Sequence, residues 1–131
     1  MKTYIYCTKA LPNIGNLNGK VVASWNLNKI LRVDYSPLFV TETCLRNDEL
    51  YSYLNKKEGY AWQVNNLETF DEPLSLDDFG LKRAPQSWCY AYYKGEKVII
   101  ISIRPKWVDL ILSGKKTLEV RKSYPREINI H

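Results

Sequence analysis

The sequence predicts an α+β fold of five or six strands and two or three short helices, and three observations predict it. The β-branched run Val98-Ile-Ile-Ile-Ser-Ile103 reads as a buried strand. Directly after it, Pro105 opens a stretch in which Trp107, Leu110 and Ile111 fall at helical spacing, and Ser113-Gly114 supplies a left-handed stop. Then Thr117 to Lys122 alternates. Leu118 and Val120 are placed on one face, and Thr117, Glu119 and Arg121 on the other, with Lys116 just ahead. One strand–helix–strand unit therefore brings Lys116, Glu119 and Arg121 close together at the mouth of a sheet.

The remaining elements follow in chain order. Lys2 to Thr8 reads as a strand, and Leu11 to Gly19 as a turn-rich loop returning into a second strand, Lys20 to Trp25, which continues with a bend through Val33. Asp34 to Val40, with Pro37, is predicted as a loop. Thr41 or Thr43 caps a predicted acidic helix to about Lys57, ended by Gly59, because Leu45, Leu50, Tyr53 and Leu54 keep helical spacing. Tyr60 to Val64 is a third strand, continued by Asn66 to Phe70. Pro73 to Gly80 is a short helical turn, Lys82 to Gln86 an extended loop, and Ser87 to Tyr93 a strand of strong β propensity.

One domain's worth of chain, 131 residues with 45% apolar content, is enough for a real core. No apolar run is long enough to span a membrane, and the polar N-terminus lacks a signal-peptide core, so a cytoplasmic protein without membrane attachment is expected. Cys7, Cys44 and Cys89 form no C-x-x-C pair and indicate neither a disulfide framework nor a zinc site; Cys7 and Cys89 are expected in the core. Neither a catalytic metal nor a cofactor is expected, and His131 is the lone histidine.

The net charge of +5 hides segregation along the chain: residues 1–33 carry +5, 34–78 carry −7, 79–95 carry +3 and 96–131 carry +4. A basic half interleaved with Tyr and Trp suits a surface that holds a polyanion and stacks bases, although charge runs are as often a solvated face.

Ser102-Ile-Arg-Pro-Lys-Trp107 followed by Ser113-Gly-Lys-Lys-Thr-Leu-Glu-Val-Arg-Lys122 resembles the opening of an ASCH domain, a member of the PUA-like superfamily, in the version common in phage and bacteria. Tyr4 to Lys9, Gly19 to Ala23, Gly59 to Trp62 and Arg83 to Cys89 resemble later blocks of that family. The resemblance implies a small mixed β-barrel. In the family the strand–helix–Gly-Lys-Lys-Thr unit comes first, whereas here it comes last. The expectation is therefore a single circularly permuted domain over 1–131, with the family's opening at 97–131 and its remainder at 1–94, joined at a turn over Lys94 to Lys97. Strand-like runs at both chain ends make a monomer or a strand-exchanged dimer the expected states.

Lys116, Glu119 and Arg121 are the best polar constellation. A lysine serves as nucleophile or base only when burial or a nearby cation lowers its pKa, and Lys115, Arg121 and Lys122 could supply the cation. The same trio could instead bind phosphate, a carbonyl or a base amino group, or be a structural ion-pair cluster. ASCH domains are RNA-related, and some small members are amidohydrolases acting on 4-acetylcytidine through a Gly-x-Lys-Thr-x-Thr pattern and a later Glu. Gly114 to Glu119 keeps the Lys but places Glu119 where the second Thr would stand; Glu68 and Glu72 are candidates for the later Glu. Trp62, Trp88 and Trp107 are stacking candidates that also suit the core. Arg83, Gln86 and Ser87 flank a proline loop suited to reading a ligand. Tyr6, Thr8 and Lys9 would border the same opening if their strand pairs beside Thr117 to Lys122, and Arg104, Lys106 and Lys122 complete the basic set. RNA or a nucleoside or nucleotide is the expected partner. Binding is the expected activity; the alternative is an amidohydrolase on acetylated cytidine, or a ribonuclease, with Lys116 and Glu119 catalytic.

Overall fold

Twelve short elements carry the chain in a computed structural model that describes residues 1–9 and 18–131. They run β1 (Lys2–Cys7), β2 (Lys20–Asn26), β3 (Ile30–Arg32), α1 (Pro37–Thr43), α2 (Asn47–Leu54), β4 (Tyr60–Gln63), β5 (Glu68–Leu74), a 3-10 turn (Leu76–Phe79), β6 (Trp88–Tyr93), β7 (Glu96–Ile103), α3 (Pro105–Leu112) and β8 (Leu118–Arg121). The result is α+β, with one mixed sheet of five strands, a second sheet of three, and three α-helices. Two compact units result, Met1–Asn26 with Asn66–Asp109 and Leu27–Asn65 with Leu110–His131.

In the first unit the strand order is β5-β2-β1-β7-β6. β1 lies parallel to β7 and antiparallel to β2. Both central strands are buried without alternation, Thr3 to Cys7 and Val98 to Ile103, because a strand covered on both faces has no wet side. One face gathers Tyr4, Tyr6, Val21, Phe79, Ala91, Val98 and Ile100 into a core, with Phe70, Leu74 and Tyr93 packed against it. A two-residue turn joins β6 to β7. Lys94 and Gly95 both have positive φ, 51° and 83°, which matches the right-handed twist of the paired strands.

In the second unit β4 lies between β3 and β8, antiparallel to both. Leu31, Ala61, Leu118 and Val120 face Phe39, Leu50 and Leu54 of the helices and form a separate core. The chain returns at Ile130, which bridges to Ile30 in parallel fashion.

Several expectations are met almost to the residue: β1, β2, β6, β7, α3 with its stop at Gly114 (φ 81°), and β8. Five need correction. The predicted loop Asp34 to Val40 is in fact where α1 begins, since Pro37 fits the first helical turn and Asp34 Oδ1 accepts the Ser36 N–H at 2.9 Å. The single acidic helix to Lys57 is two, because Cys44 adopts a left-handed conformation (φ 60°) that stops α1. α2 restarts with the Glu49 carboxylate accepting the Arg46 N–H at 3.2 Å and stops at Asn55 (φ 49°), before Gly59.

The third correction concerns the bend after Trp25: residues beyond Asn26 do not extend β2 but supply β3 to the other sheet. The fourth is parallel to it. Asn66, at φ 53°, turns the chain out of β4's sheet, and Glu68–Leu74 pairs with β2 instead. The 3-10 turn is shorter than Pro73 to Gly80, since Pro73 and Leu74 belong to β5. Most of the predicted loop Leu11 to Gly19 lies outside the described residues.

Candidate functional site

The polar constellation of the last strand forms in the second unit. Pairing places Glu119 opposite Trp62 and Arg121 opposite Tyr60, and antiparallel partners share a face, so these four side chains stand on one side of the sheet while Leu118 and Val120 enter the helical core on the other. Lys116 Nζ lies 3.4 Å from Glu119 Oε1, and Arg121 Nη2 lies 3.4 Å from Glu119 Oε2. One carboxylate thus sits between two cations, leaving the trio with a net charge of +1. Lys116 and Glu119 are buried, at 1% and 5% exposure, and Arg121 is partly exposed.

Lys116 has a further partner. Its ammonium donates a short hydrogen bond to the carbonyl of Thr43, the last residue of α1. Neighbouring residues attach to the same helix end: the Thr117 N–H donates to Glu42 O at 2.9 Å, and the Cys44 thiol donates to Lys115 O at 3.4 Å. A helix leaves its last carbonyls without intrahelical partners and carries partial negative charge there, so a lysine at that end meets both needs. The Gly-Lys-Lys-Thr segment therefore closes α1 as well as leading into β8.

With its ammonium donating to a carbonyl and a carboxylate, Lys116 acts in this geometry as a donor and positioning group. Nucleophilic attack would require it to leave both acceptors. Glu119, between two cations, is held as an acceptor. The outward-facing chemistry lies one residue beyond Arg121, where Lys122 is exposed and its Nζ sits 5.0 Å over the ring of Tyr53. Tyr53 is itself 40% exposed.

Trp62 is fully buried and donates its indole N–H to Ser123 O at 3.2 Å, so it supports the sheet rather than offering a stacking face. The other predicted site residues belong to the first unit. The pairing that would have set Tyr6, Thr8 and Lys9 beside the last strand does not form, because β1 pairs with β2 and β7 while β8 pairs with β4. Tyr6 is buried in the aromatic core, the Thr8 N–H donates to Ile103 O at 3.0 Å, and Lys9 is exposed.

Arg83 and Gln86 are exposed on the loop before β6; Ser87 O accepts the Ser102 N–H at 2.9 Å, and Trp88 meets Tyr90 edge-on at 5.4 Å. Arg104 is exposed, and its carbonyl accepts the Trp107 and Val108 N–H groups that begin α3. Lys106 lies 4.7 Å over the Trp107 ring. Glu68 and Glu72 stand on β5, in the first sheet.

No protein-family model, no curated protein and no solved structure matches this chain. Its chemistry rests on its own residues. Among the described residues no group of three or more His, Cys, Asp or Glu side chains is placed to hold a metal ion, and no helix is long and apolar enough to cross a membrane.

Two participants escaped the sequence reading. Thr43 contributes a backbone carbonyl, which no side-chain pattern announces. Tyr53 was assigned to the apolar stripe of a helix, yet α2 turns Leu50 and Leu54 inward and leaves Tyr53 out; its position between them at i+3 and i−1 was the available signal.

Proposed function

We propose that the chain binds RNA or a modified nucleoside, as a circularly permuted relative of the ASCH domains whose two sheets correspond to the family's PUA-like barrel. The observation that carries this reading is the Lys122 ammonium 5.0 Å over the exposed Tyr53 ring. A ring offers a base its face, and the ammonium beside it suits a phosphate. Glu119 does not spoil that surface, since Lys116 and Arg121 neutralise it from both sides. The buried pair serves as a rigid support: it fixes the strand that carries Arg121 and Lys122, as binding groups need a shell that locks them.

Hydrolysis of acetylated cytidine, or RNA cleavage, is the competing proposal. It would require Lys116 to exchange its bonds to Thr43 and Glu119 for a substrate, and the motif lacks the second Thr hydroxyl.

Two assays on the intact chain decide between them. Fluorescence anisotropy with a labelled single-stranded RNA, repeated across a salt series, should give binding that weakens steeply with salt and weakens further in Lys122→Ala and Tyr53→Ala. Incubation with 4-acetylcytidine, followed by chromatography, should give no acetyl loss. Turnover that disappears in Lys116→Ala would replace the binding reading with the hydrolytic one, and salt-independent or absent RNA binding would remove the former.

A further inference from the structure

The first unit contains an open pocket of about 400 Å³, within the range of small-ligand sites. Lys2, Tyr4, Phe70, Leu74 and Tyr93 line it together with the β5 residues Glu68, Thr69, Asp71 and Glu72. Its floor is aromatic. The Tyr4 ring centroid lies 6.0 Å from that of Phe70 and 5.5 Å from that of Tyr93.

Charge in this pocket runs against the rest of the protein. Three carboxylates and one ammonium line it, a local net charge of −2 in a chain of +5. Among the described residues neither Asp71 nor Glu72 has a cationic partner. Tyr4 is a second, independent sign. Only 5% of it is exposed, it lines the pocket, and no described residue hydrogen-bonds its hydroxyl. A tyrosine whose ring is buried usually finds a partner for its hydroxyl, and one that lines a pocket without such a partner is available to a ligand.

Lys2 shows what that ligand looks like. Its Nζ lies 3.7 Å from Glu68 Oε2 and 6.0 Å from the Tyr4 ring centroid, so an ammonium already rests between a carboxylate and an aromatic face. The Lys2 side chain is 42% exposed and can yield the place. We propose that this pocket binds an organic cation, an alkylammonium or guanidinium group, between Glu68, Asp71, Glu72 and the Tyr4, Phe70 and Tyr93 rings. Carboxylates take the N–H donors, the rings take the cation's face and its aliphatic stem, and Tyr4 Oη accepts a remaining N–H. Burial and the Glu68 charge push the Tyr4 phenol above its ordinary range, so it stays neutral around pH 7. A polyanion is excluded by the same charges, which separates this site from the one proposed for RNA. The cation could arrive as a free polyamine or as a basic side chain of a peptide.

The test is a set of backbone-amide NMR titrations of the intact chain with spermidine, with arginine amide, with a capped Lys-Arg-Lys tripeptide and, as a control, with adenosine monophosphate. Saturable shifts confined to Glu68–Leu74 and their pocket neighbours, with a Kd on the order of 1 mM or tighter, are expected for at least one cation and not for the nucleotide. Spermidine alone would identify a free polyamine as the ligand, and the tripeptide alone a peptide side chain; either supports the proposal. Asp71→Asn with Glu72→Gln, both at exposed positions, should weaken binding about tenfold, as loss of a charge-assisted contact does. Non-saturating shifts for every cation, shifts centred elsewhere, equal binding by the double variant, or nucleotide binding at these residues would overturn it.

Discussion

Lys116 Nζ stands 3.4 Å from Glu119 Oε1, and the two side chains are 1% and 6% exposed. Charges so deeply buried are costly unless paired, and here each is held twice, Lys116 by Thr43 as well and Glu119 by Arg121. Removing one partner leaves the other charge buried with less compensation. Lys116→Ala should lower stability by roughly 3 kcal/mol, the low end for a broken buried pair because Arg121 still faces Glu119. The paired change Lys116→Met with Glu119→Gln should recover much of that loss. Urea unfolding with an unchanged m-value would measure both, and equal destabilisation by the single and double variants would refute the coupling.

The proposed RNA surface makes a graded prediction. Tyr53→Ala should cost about 1–3 kcal/mol of binding if a base stacks there. Lys122→Ala should reduce the slope of log affinity against log salt by about 0.7, one phosphate contact on a single strand. A variant that binds as tightly as the parent, with the same slope, removes that residue from the interface.

Gly59 packs where no side chain fits. An added Cβ would sit 2.7 and 2.8 Å from the Leu54 methyls and 2.9 Å from Val33 Cγ2. Leu54 is buried in the second core and has little room to retreat. Gly59→Ala should therefore cost about 1–3 kcal/mol, as overpacking does, and a midpoint within error of the parent would contradict the packing described.

Tyr60 donates its hydroxyl to Glu58 Oε2 at 2.8 Å, and that bond first, with burial and the Glu58 charge behind it, raises its pKa above the ordinary phenol range. Folding therefore favours the protonated ring. The stabilisation is complete below the unfolded phenol pKa of about 10 and is lost as pH rises through the folded value. Tyrosinate absorbance should show Tyr60 and Tyr4 ionising late, and Glu58→Gln should bring the Tyr60 step down while leaving Tyr4 in place.

Cys7 and Cys89 should resist alkylation in the folded state. Burial raises both thiols above their usual pKa, and Asp109 adds to the effect at Cys7, so the reactive thiolate is scarce near pH 8. Mass spectrometry after native iodoacetamide treatment should find Cys7 largely unmodified and fully modified once urea is added. Equal labelling in both conditions would show that β1 opens readily.

Local periodicity carries a large share of this fold. The unbroken apolar run Val98 to Ile103 determined a central strand by itself, because a strand covered on both faces shows no alternation. Pro105 and Gly114 bounded α3, and the alternation of Leu118 to Arg121 put Glu119 and Arg121 on one face with Lys116 within reach, since strand period follows from backbone geometry alone. Tertiary structure decided which strands became neighbours. β8 pairs with β4 and β1 with β7, so the residues expected around one opening are divided between two units, and nothing in a strand's own sequence names its partner. It also decided the break at Cys44, where a left-handed turn ends α1 and aims the Thr43 carbonyl at Lys116. A backbone acceptor has no signature in a sequence. The pocket of Tyr4, Phe70 and Tyr93 arose the same way, from three strands distant in the chain whose rings meet only when the sheet is built.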